Sequence, residues 1–206
     1  MDIHIRRMTL ADLDEVMEIE PVAFGSHHWS RQSFANELSN PGGHYYVACV
    51  AGKDELLGYS GFWLIGEEAH ITTLAVHPER RRLHIGERLL LNDIHAANYV
   101  GANWMTLEVR VSNDNAQQLY FKYGFKSLGL RRNYYQDNSE DAMVLWTENI
   151  HASDFKALVR QRIAELAAAG LKSIDPFPED KGCEPGDGDE QGLPADAARN
   201  LPPMEV

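Results

Sequence analysis

Cysteine is scarce in this chain, and the two that occur, Cys49 and Cys183, are far apart in segments of unlike character. That excludes a disulfide framework and fits a reducing, cytoplasmic setting. Cys49 lies in a β-like run and reads as a small buried hydrophobe. No apolar stretch approaches the roughly 20 residues that a membrane helix needs. The opening, Met1 to Arg7, alternates charged and apolar residues and lacks a secretory apolar segment, so neither membrane nor export is expected. Excess positive charge is missing too. The net charge of −12 argues against a general nucleic-acid binder, whose affinity comes largely from neutralised phosphates. The three-glycine turn of dinucleotide-binding folds does not occur. His77, His84 and His95 form no convincing ligand constellation, so no metal is expected.

What the chain does have is a hydrophobic content of 44% over 206 residues, enough for one ordinary domain with a real core. Residues 2–7 alternate as a strand with Ile3 and Ile5 on one face. Thr9 can cap a helix over about 11–22 whose end Pro21 makes irregular, and a second helix starts at Ser30 and stops before Asn40-Pro41-Gly42-Gly43. Three strand-like segments follow at 44–51, 56–65 and 69–77, joined by the turn signals Ala51-Gly52-Lys53-Asp54 and Gly66-Glu67-Glu68. Ile85, Leu89, Leu90, Ile94, Ala97 and Val100 recur at helical spacing. After them come a strand at 104–110, a helix at 113–123 closed by Gly124, a strand at 125–131 and a last strand at 142–147. The order spells a mixed α/β domain over residues 1–150. Residues 151–170 hold an amphipathic helix ending at Gly170. Residues 171–206 are rich in proline and glycine and carry nine acidic against three basic side chains, a composition that buries too little apolar surface to offset ordering entropy. A disordered acidic tail is expected there, serving solubility or docking a partner.

The densest chemical signal runs from Val76 to Leu90. A strand ends at Pro78, the chain turns through Arg80, Arg81 and Arg82, and a long helix begins. Unpaired N–H groups at a helix start beside arginines make a receptor for phosphate oxygens, and Gly86 lets the backbone approach a pyrophosphate closely. The plain alternative is a solvated basic turn.

At these residues the sequence resembles the GNAT N-acetyltransferase superfamily, and within it the RimI family of bacterial ribosomal-protein-alanine N-acetyltransferases. The resemblance covers about residues 2–148. It is carried by His28-Trp29-Ser30, Thr72 to Pro78, Arg81 to Gly86, Leu107-Glu108-Val109-Arg110, Ser112-Asn113, Ala116, Leu119-Tyr120, Gly124-Phe125, Arg131-Arg132-Asn133-Tyr134-Tyr135 and Glu140-Asp141-Ala142. One position departs: His84 stands where the family's pyrophosphate turn has its first glycine. A left-handed backbone there would cost histidine about 1 kcal/mol.

The resemblance implies the GNAT (acyl-CoA N-acyltransferase) fold, a mixed, mostly antiparallel sheet flanked by helices and splayed between strands 69–77 and 104–110. It implies acetyl-CoA as cosubstrate, held by Leu74, Ala75 and Val76 along the pantetheine arm, by Arg81, Arg82, Leu83, His84, Ile85, Gly86, Glu87 and Arg88 around the pyrophosphate, and by Asn113 and Tyr120. Glu108 would accept the acceptor's proton and Tyr120 would protonate the departing thiolate; a solvent-facing strand glutamate and a packed tyrosine are the bland readings. Asn113 could equally be a plain helix N-cap. Trp29, Tyr134 and Tyr135 would grip the acceptor with Glu108, although Trp29 also suits core packing. The implied acceptor is a protein N terminus, the alanine of ribosomal protein bS18. Small-amine or aminoglycoside acetylation and a catalytically weak acetyl-CoA-binding scaffold are the alternatives.

Overall fold

The structure is a computed structural model describing residues 2–53, 55–171 and 177. Cys183 and all but Leu171 and Phe177 of the acidic tail lie outside the described residues. Seven strands form one sheet: β1 Ile3–Arg7, β2 Gly43–Val50, β3 Leu56–Ile65, β4 Glu68–Val76, β5 Trp104–Arg110, β6 Lys126–Tyr135 and β7 Glu140–Trp146. Their order is β1-β2-β3-β4-β5-β7-β6, and every neighbouring pair is antiparallel except β4 with β5.

Helices α1 Leu13–Phe24 and α2 Arg31–Leu38 enclose a cluster of Leu13, Val16, Ile19 and Phe34 with Tyr45, Val47 and Tyr59 of the sheet. Ser30 caps α2 as its sequence suggests, its hydroxyl accepting from the Ser33 N–H at 3.0 Å. The start of α1 differs from a simple cap. Thr9 opens a short 3-10 turn, Leu10–Asp12, and donates its N–H and hydroxyl to the Asp12 carboxylate at 2.7 and 2.8 Å. Pro21 does not end α1, which continues through it to Phe24; the last turn is kept by packing Ala23 and Phe24 against the same cluster.

Helix α3, Ile85–Tyr99, joins the parallel strands β4 and β5 and packs across β2, β3 and β4. Its apolar stripe, Leu90, Leu91, Ile94 and Ala97, meets Phe62, Ile71, Met105 and Leu107 in the main core, which Tyr120 of α4 (Asp114–Lys122) and Tyr123 just after it also enter. Helix α5, Ser153–Ala168, closes that core with Phe155, Val159 and Leu166, and Phe177 is buried against it. None of the helices among the described residues is long and apolar enough to cross a membrane.

Candidate active site

Strands β4 and β5 are in register only at Glu68–His70 against Trp104–Thr106. Past those three pairs they part, and two local features keep them apart. Thr72 is an extra residue in β4, bulged between the pairs Ile71–Phe62 and Thr73–Gly61, with its hydroxyl donating to the Gly61 carbonyl at 3.2 Å. Such a bulge bends the strand and increases its twist. On the other side β5 is held by β7, from Thr106–Trp146 through Arg110–Ala142. The opening belongs to a cavity of about 1240 Å³ lined by Ile71 to Leu74 of β4 and Leu107 to Arg110 of β5.

Seven of the seventeen residues named from sequence line that cavity, namely Trp29, Leu74, Glu108, Asn113, Tyr120, Tyr134 and Tyr135, whereas none of those from Ala75 to Arg88 does. Strand alternation accounts for Glu108. Leu107 and Val109 point into the core, which turns the intervening carboxylate to the cavity, 12% exposed. Tyr120 enters from the last turn of α4, its ring packed on Phe125 at 5.4 Å between centroids. Burial, reinforced by the Asp93 carboxyl and the Tyr135 phenol, raises its hydroxyl above the ordinary phenol range. Asn113 is the N-cap of α4, its side-chain oxygen accepting from the Ala116 N–H at 3.2 Å, while also lining the cavity. Trp29 likewise does two things: it stacks against Trp63 and tilts on Phe34 and Tyr45, yet part of it faces the cavity.

The basic turn stands at the start of α3, outside the residues that line this cavity. Gly86 sits between β4 and α4, where an added Cβ would touch Leu74 and Val76 at 3.5 Å and Leu119 at 3.7 Å. The first bond of α3 runs from the Arg88 N–H to the His84 carbonyl, so the N–H groups of Ile85, Gly86 and Glu87 lack helical acceptors. Arg81, Arg82, Leu83 and His84 are exposed around them. His84 is left-handed, with φ 58° and ψ 20°, and Arg82 also has positive φ, 62°. Each non-glycine residue there costs about 1 kcal/mol. The His84 imidazole turns back to the Glu87 carboxylate, Nδ1 to Oε2 at 2.8 Å.

Two residues expected at the coenzyme turn their side chains elsewhere. The Glu87 carboxylate is buried and ligated by His84, Lys122 and the Tyr123 hydroxyl, which holds it below the ordinary carboxylate range against the opposing effect of burial; only its N–H remains for a ligand. Arg88 has its N–H inside the helix and its guanidinium donating to the Ile3 carbonyl. The Ala75 side chain is packed into the α1–α2 cluster, and the expectation for Leu74, Ala75 and Val76 concerns their backbone groups. Helical periodicity carries the Glu87 and Arg88 side chains away from the helix end.

Several cavity residues are absent from the sequence-derived set. Glu20 of α1 accepts from the Trp29 N–H at 2.8 Å and from the Tyr59 hydroxyl. Arg110 lies 3.8 Å over the Tyr135 ring and bonds Asp137 and Glu140. Asp137 also pairs with His27 at 3.0 Å, tying the β6–β7 turn to the loop after α1. Arg131 reaches Glu108 at 3.4 Å. The only signals for these were the Arg-Arg-Asn-Tyr-Tyr and Glu140-Asp141-Ala142 runs, whose partners depend on strand order. Among the described residues no three or more His, Cys, Asp or Glu side chains converge as a metal site.

A sheet splayed at its parallel pair, with a carboxylate and a phenol in the wall of the opening and, at the start of the helix that joins those strands, N–H groups without helical acceptors beside exposed arginines, is the arrangement an acyl-coenzyme A-dependent transferase needs. Residues 10–125 match the acetyltransferase (GNAT) family. A Bacillus subtilis (strain 168) protein, provisionally named a [ribosomal protein bS18]-alanine N-acetyltransferase, is 43% identical over 143 residues, 69% of this chain and 93% of its own length. The N-alpha-acetyltransferase RimI of Mycobacterium tuberculosis (strain ATCC 25618 / H37Rv) is 34% identical over 148 residues, 69% of this chain and 90% of its own. The crystal structure of the ribosomal-protein-S18-alanine N-acetyltransferase from Escherichia coli superposes with a TM-score of 0.66 at 28% identity, covering 74% of this chain and 97% of that one. The chain belongs to the acetyltransferase (GNAT) family, close to its RimI branch, and its activity class is acetyl-CoA-dependent acetyl transfer.

The residues present fit acetyl-CoA. Free helix N–H groups with Arg81 and Arg82 suit a pyrophosphate. Gly86 leaves open the space a side chain would take. The Thr73 hydroxyl, buried in the cleft wall without a hydrogen-bond partner among the described residues, suits the amides of a pantetheine arm.

Proposed function

We propose that this chain acetylates the α-amine of a protein N terminus, with the N-terminal alanine of ribosomal protein bS18 as its preferred acceptor. The observation that carries this reading is the position of Glu108. Its carboxylate lines the same cavity as Trp29, Tyr134 and Tyr135, three amphipathic rings suited to gripping a peptide backbone and keeping the first side chain small. The names of the Bacillus subtilis and Escherichia coli relatives support the same acceptor.

Acetyl-CoA supplies an activated thioester. Glu108 takes a proton from the acceptor ammonium, directly or through water, freeing the nitrogen lone pair for the carbonyl carbon. The C–N bond forms, the nitrogen gives up a second proton to solvent, the C–S bond breaks, and the sulfur leaves as thiolate. Tyr120 is suited to protonate it, because its buried phenol keeps its proton at neutral pH. Arg81, Arg82 and the α3 N terminus hold the phosphates, and Asn113 steadies the start of α4 beside the cleft. Arg88 takes no part.

Intact-mass analysis of peptides incubated with the protein and acetyl-CoA tests the acceptor. Alanine-initiated bS18 peptide should gain one acetyl group faster than serine- or methionine-initiated peptides. A peptide whose only amine is on lysine should remain unmodified; its preferential acetylation would favour a small-amine acceptor instead. Glu108→Gln and Tyr120→Phe should each lower kcat by about 100-fold while unfolding as the wild type does. Unchanged rates in both would remove those roles.

A further inference from the structure

The Arg131 guanidinium stands 3.4 Å from the Glu108 carboxylate, and neither group is free in solvent, the two side chains being 23% and 12% exposed. The sheet makes room for this contact. Arg131 of β6 and Arg110 of β5 both pair with Ala142 of β7, and Glu108 pairs with Val144, whose β6 partner is Gly129. The diagonal from Arg131 to Glu108 therefore crosses β7 between the small Ala142 and Val144, and on β6 the position beside Val144 is a glycine without a side chain. The two arginines have different fates: Arg110 is taken up by Tyr135, Asp137 and Glu140, whereas Arg131 is directed at the base, with the Tyr134 ring 5.8 Å from its guanidinium carbon.

We infer that Arg131 is a positioning residue that keeps the acceptor nitrogen neutral, by placing a fixed positive charge beside the carboxylate that the acceptor must approach. The inference rests on the reading of Glu108 as base. An ammonium and a guanidinium sharing one carboxylate repel, so the cationic form of the bound amine is disfavoured relative to the nucleophilic form. This effect extends activity towards lower pH. The other groups facing Glu108 are neutral or otherwise engaged. The Tyr134 and Tyr135 phenols are both raised by burial and Tyr120 is a neutral phenol as well. Glu20 is bonded to Trp29 and Tyr59, His27 to Asp137, and His28 to the Gly25 carbonyl. Glu37 receives Trp63, Tyr45 and Asn40; the exception is Arg132, a second cation in the cavity lining, which is exposed to solvent.

The test is steady-state acetylation of an alanine-initiated peptide at saturating acetyl-CoA, from about pH 6 to about pH 9.5, with wild type, Arg131→Gln and Arg131→Lys. A unit charge some 7 Å from the amine, partly screened, corresponds to roughly one pH unit. The acid limb of kcat should move up by about that much in Arg131→Gln. The expected deficit is then about tenfold near pH 6 and less than about twofold near pH 9, and the peptide KM should not rise, because the ammonium now binds more readily. Arg131→Lys should restore the limb. An unmoved limb in Arg131→Gln, or an equal loss at every pH that lysine does not repair, overturns the inference while wild-type turnover leaves the function standing. Wild-type protein inert towards every peptide amine overturns both.

Discussion

Glu20 shows how one buried carboxyl can tie the acceptor wall to the core and carry a pH signature. Burial pushes its carboxyl up to about 7, with the Trp29 N–H and His28 acting in the opposite direction. The unfolded chain releases this proton near 4.5, so between those values the native state binds more protons than the unfolded one. Its contribution to stability is therefore full below about pH 4.5 and is lost as pH rises through about 7. Glu20→Gln should abolish that slope. In denaturant titrations at about pH 5 and about pH 8, the wild type should lose about 3 kcal/mol more than the variant across the interval. Equal losses would show that Glu20 is ionised throughout. Neither Glu20 nor Arg131 stood out in the sequence, for a common reason. A glutamate in an amphipathic helix and an arginine in an edge strand look solvated until strand order places Tyr59 against one and Glu108 against the other. Glu108 and Tyr120 were singled out by the family resemblance, since alternation alone leaves a strand glutamate and a packed tyrosine, whereas Asn113 was also legible as a helix cap, which is a local rule.

At the scale of elements, α3 was readable from end to end, since its apolar spacing needs no partner to be recognised, and the same holds for β5. The bulges were not readable. Thr72 in β4 and the irregular stretch between Arg131 and Tyr135 in β6 arise from cross-strand register, and they are what open the cleft and turn Tyr134 and Tyr135 to its wall. Nor did the basic run distinguish Arg81, whose side chain carries no bond to another described residue, from Arg88, which is anchored to β1. The start of α3 sets stability against binding at a single position. Gly86→Ala replaces the poorer helix former, and its Cβ meets only ordinary contacts at 3.5 Å or more, so unfolding free energy should rise by about 0.5 kcal/mol. The same methyl occupies the approach of the phosphates to the helix N–H groups, and acetyl-CoA should bind about tenfold more weakly, as one charge-assisted bond is lengthened. Calorimetry of both quantities decides: unchanged affinity would place the pyrophosphate elsewhere.

For the molecule as a whole, an acidic protein with a net charge of −12 suits an anionic cosubstrate by segregating its charge, with Arg81 and Arg82 exposed ahead of the α3 N terminus. The matched Escherichia coli structure covers 74% of the chain, while α5 and Phe177 complete the core from the C-terminal side. Their packing is close. Gly124, at φ +83°, has Leu158 so near that an added Cβ would stand 2.9 Å from its Cδ2. The Phe177 ring lies edge-on to Phe155 at 6.3 Å, and its carbonyl accepts from Arg160 at 3.2 Å. None of these residues touches the cavity, so the extension acts on stability and leaves the chemistry alone. Phe177→Ala removes a buried ring and should cost about 3 kcal/mol of unfolding free energy, with kcat/KM for peptide and for acetyl-CoA unchanged at temperatures where both proteins are folded. Denaturant melts beside peptide kinetics separate the two. A fall in kcat/KM without loss of stability would mean that the C-terminal extension reaches the site by a route the packing does not show, and α5 would then belong to the catalytic apparatus.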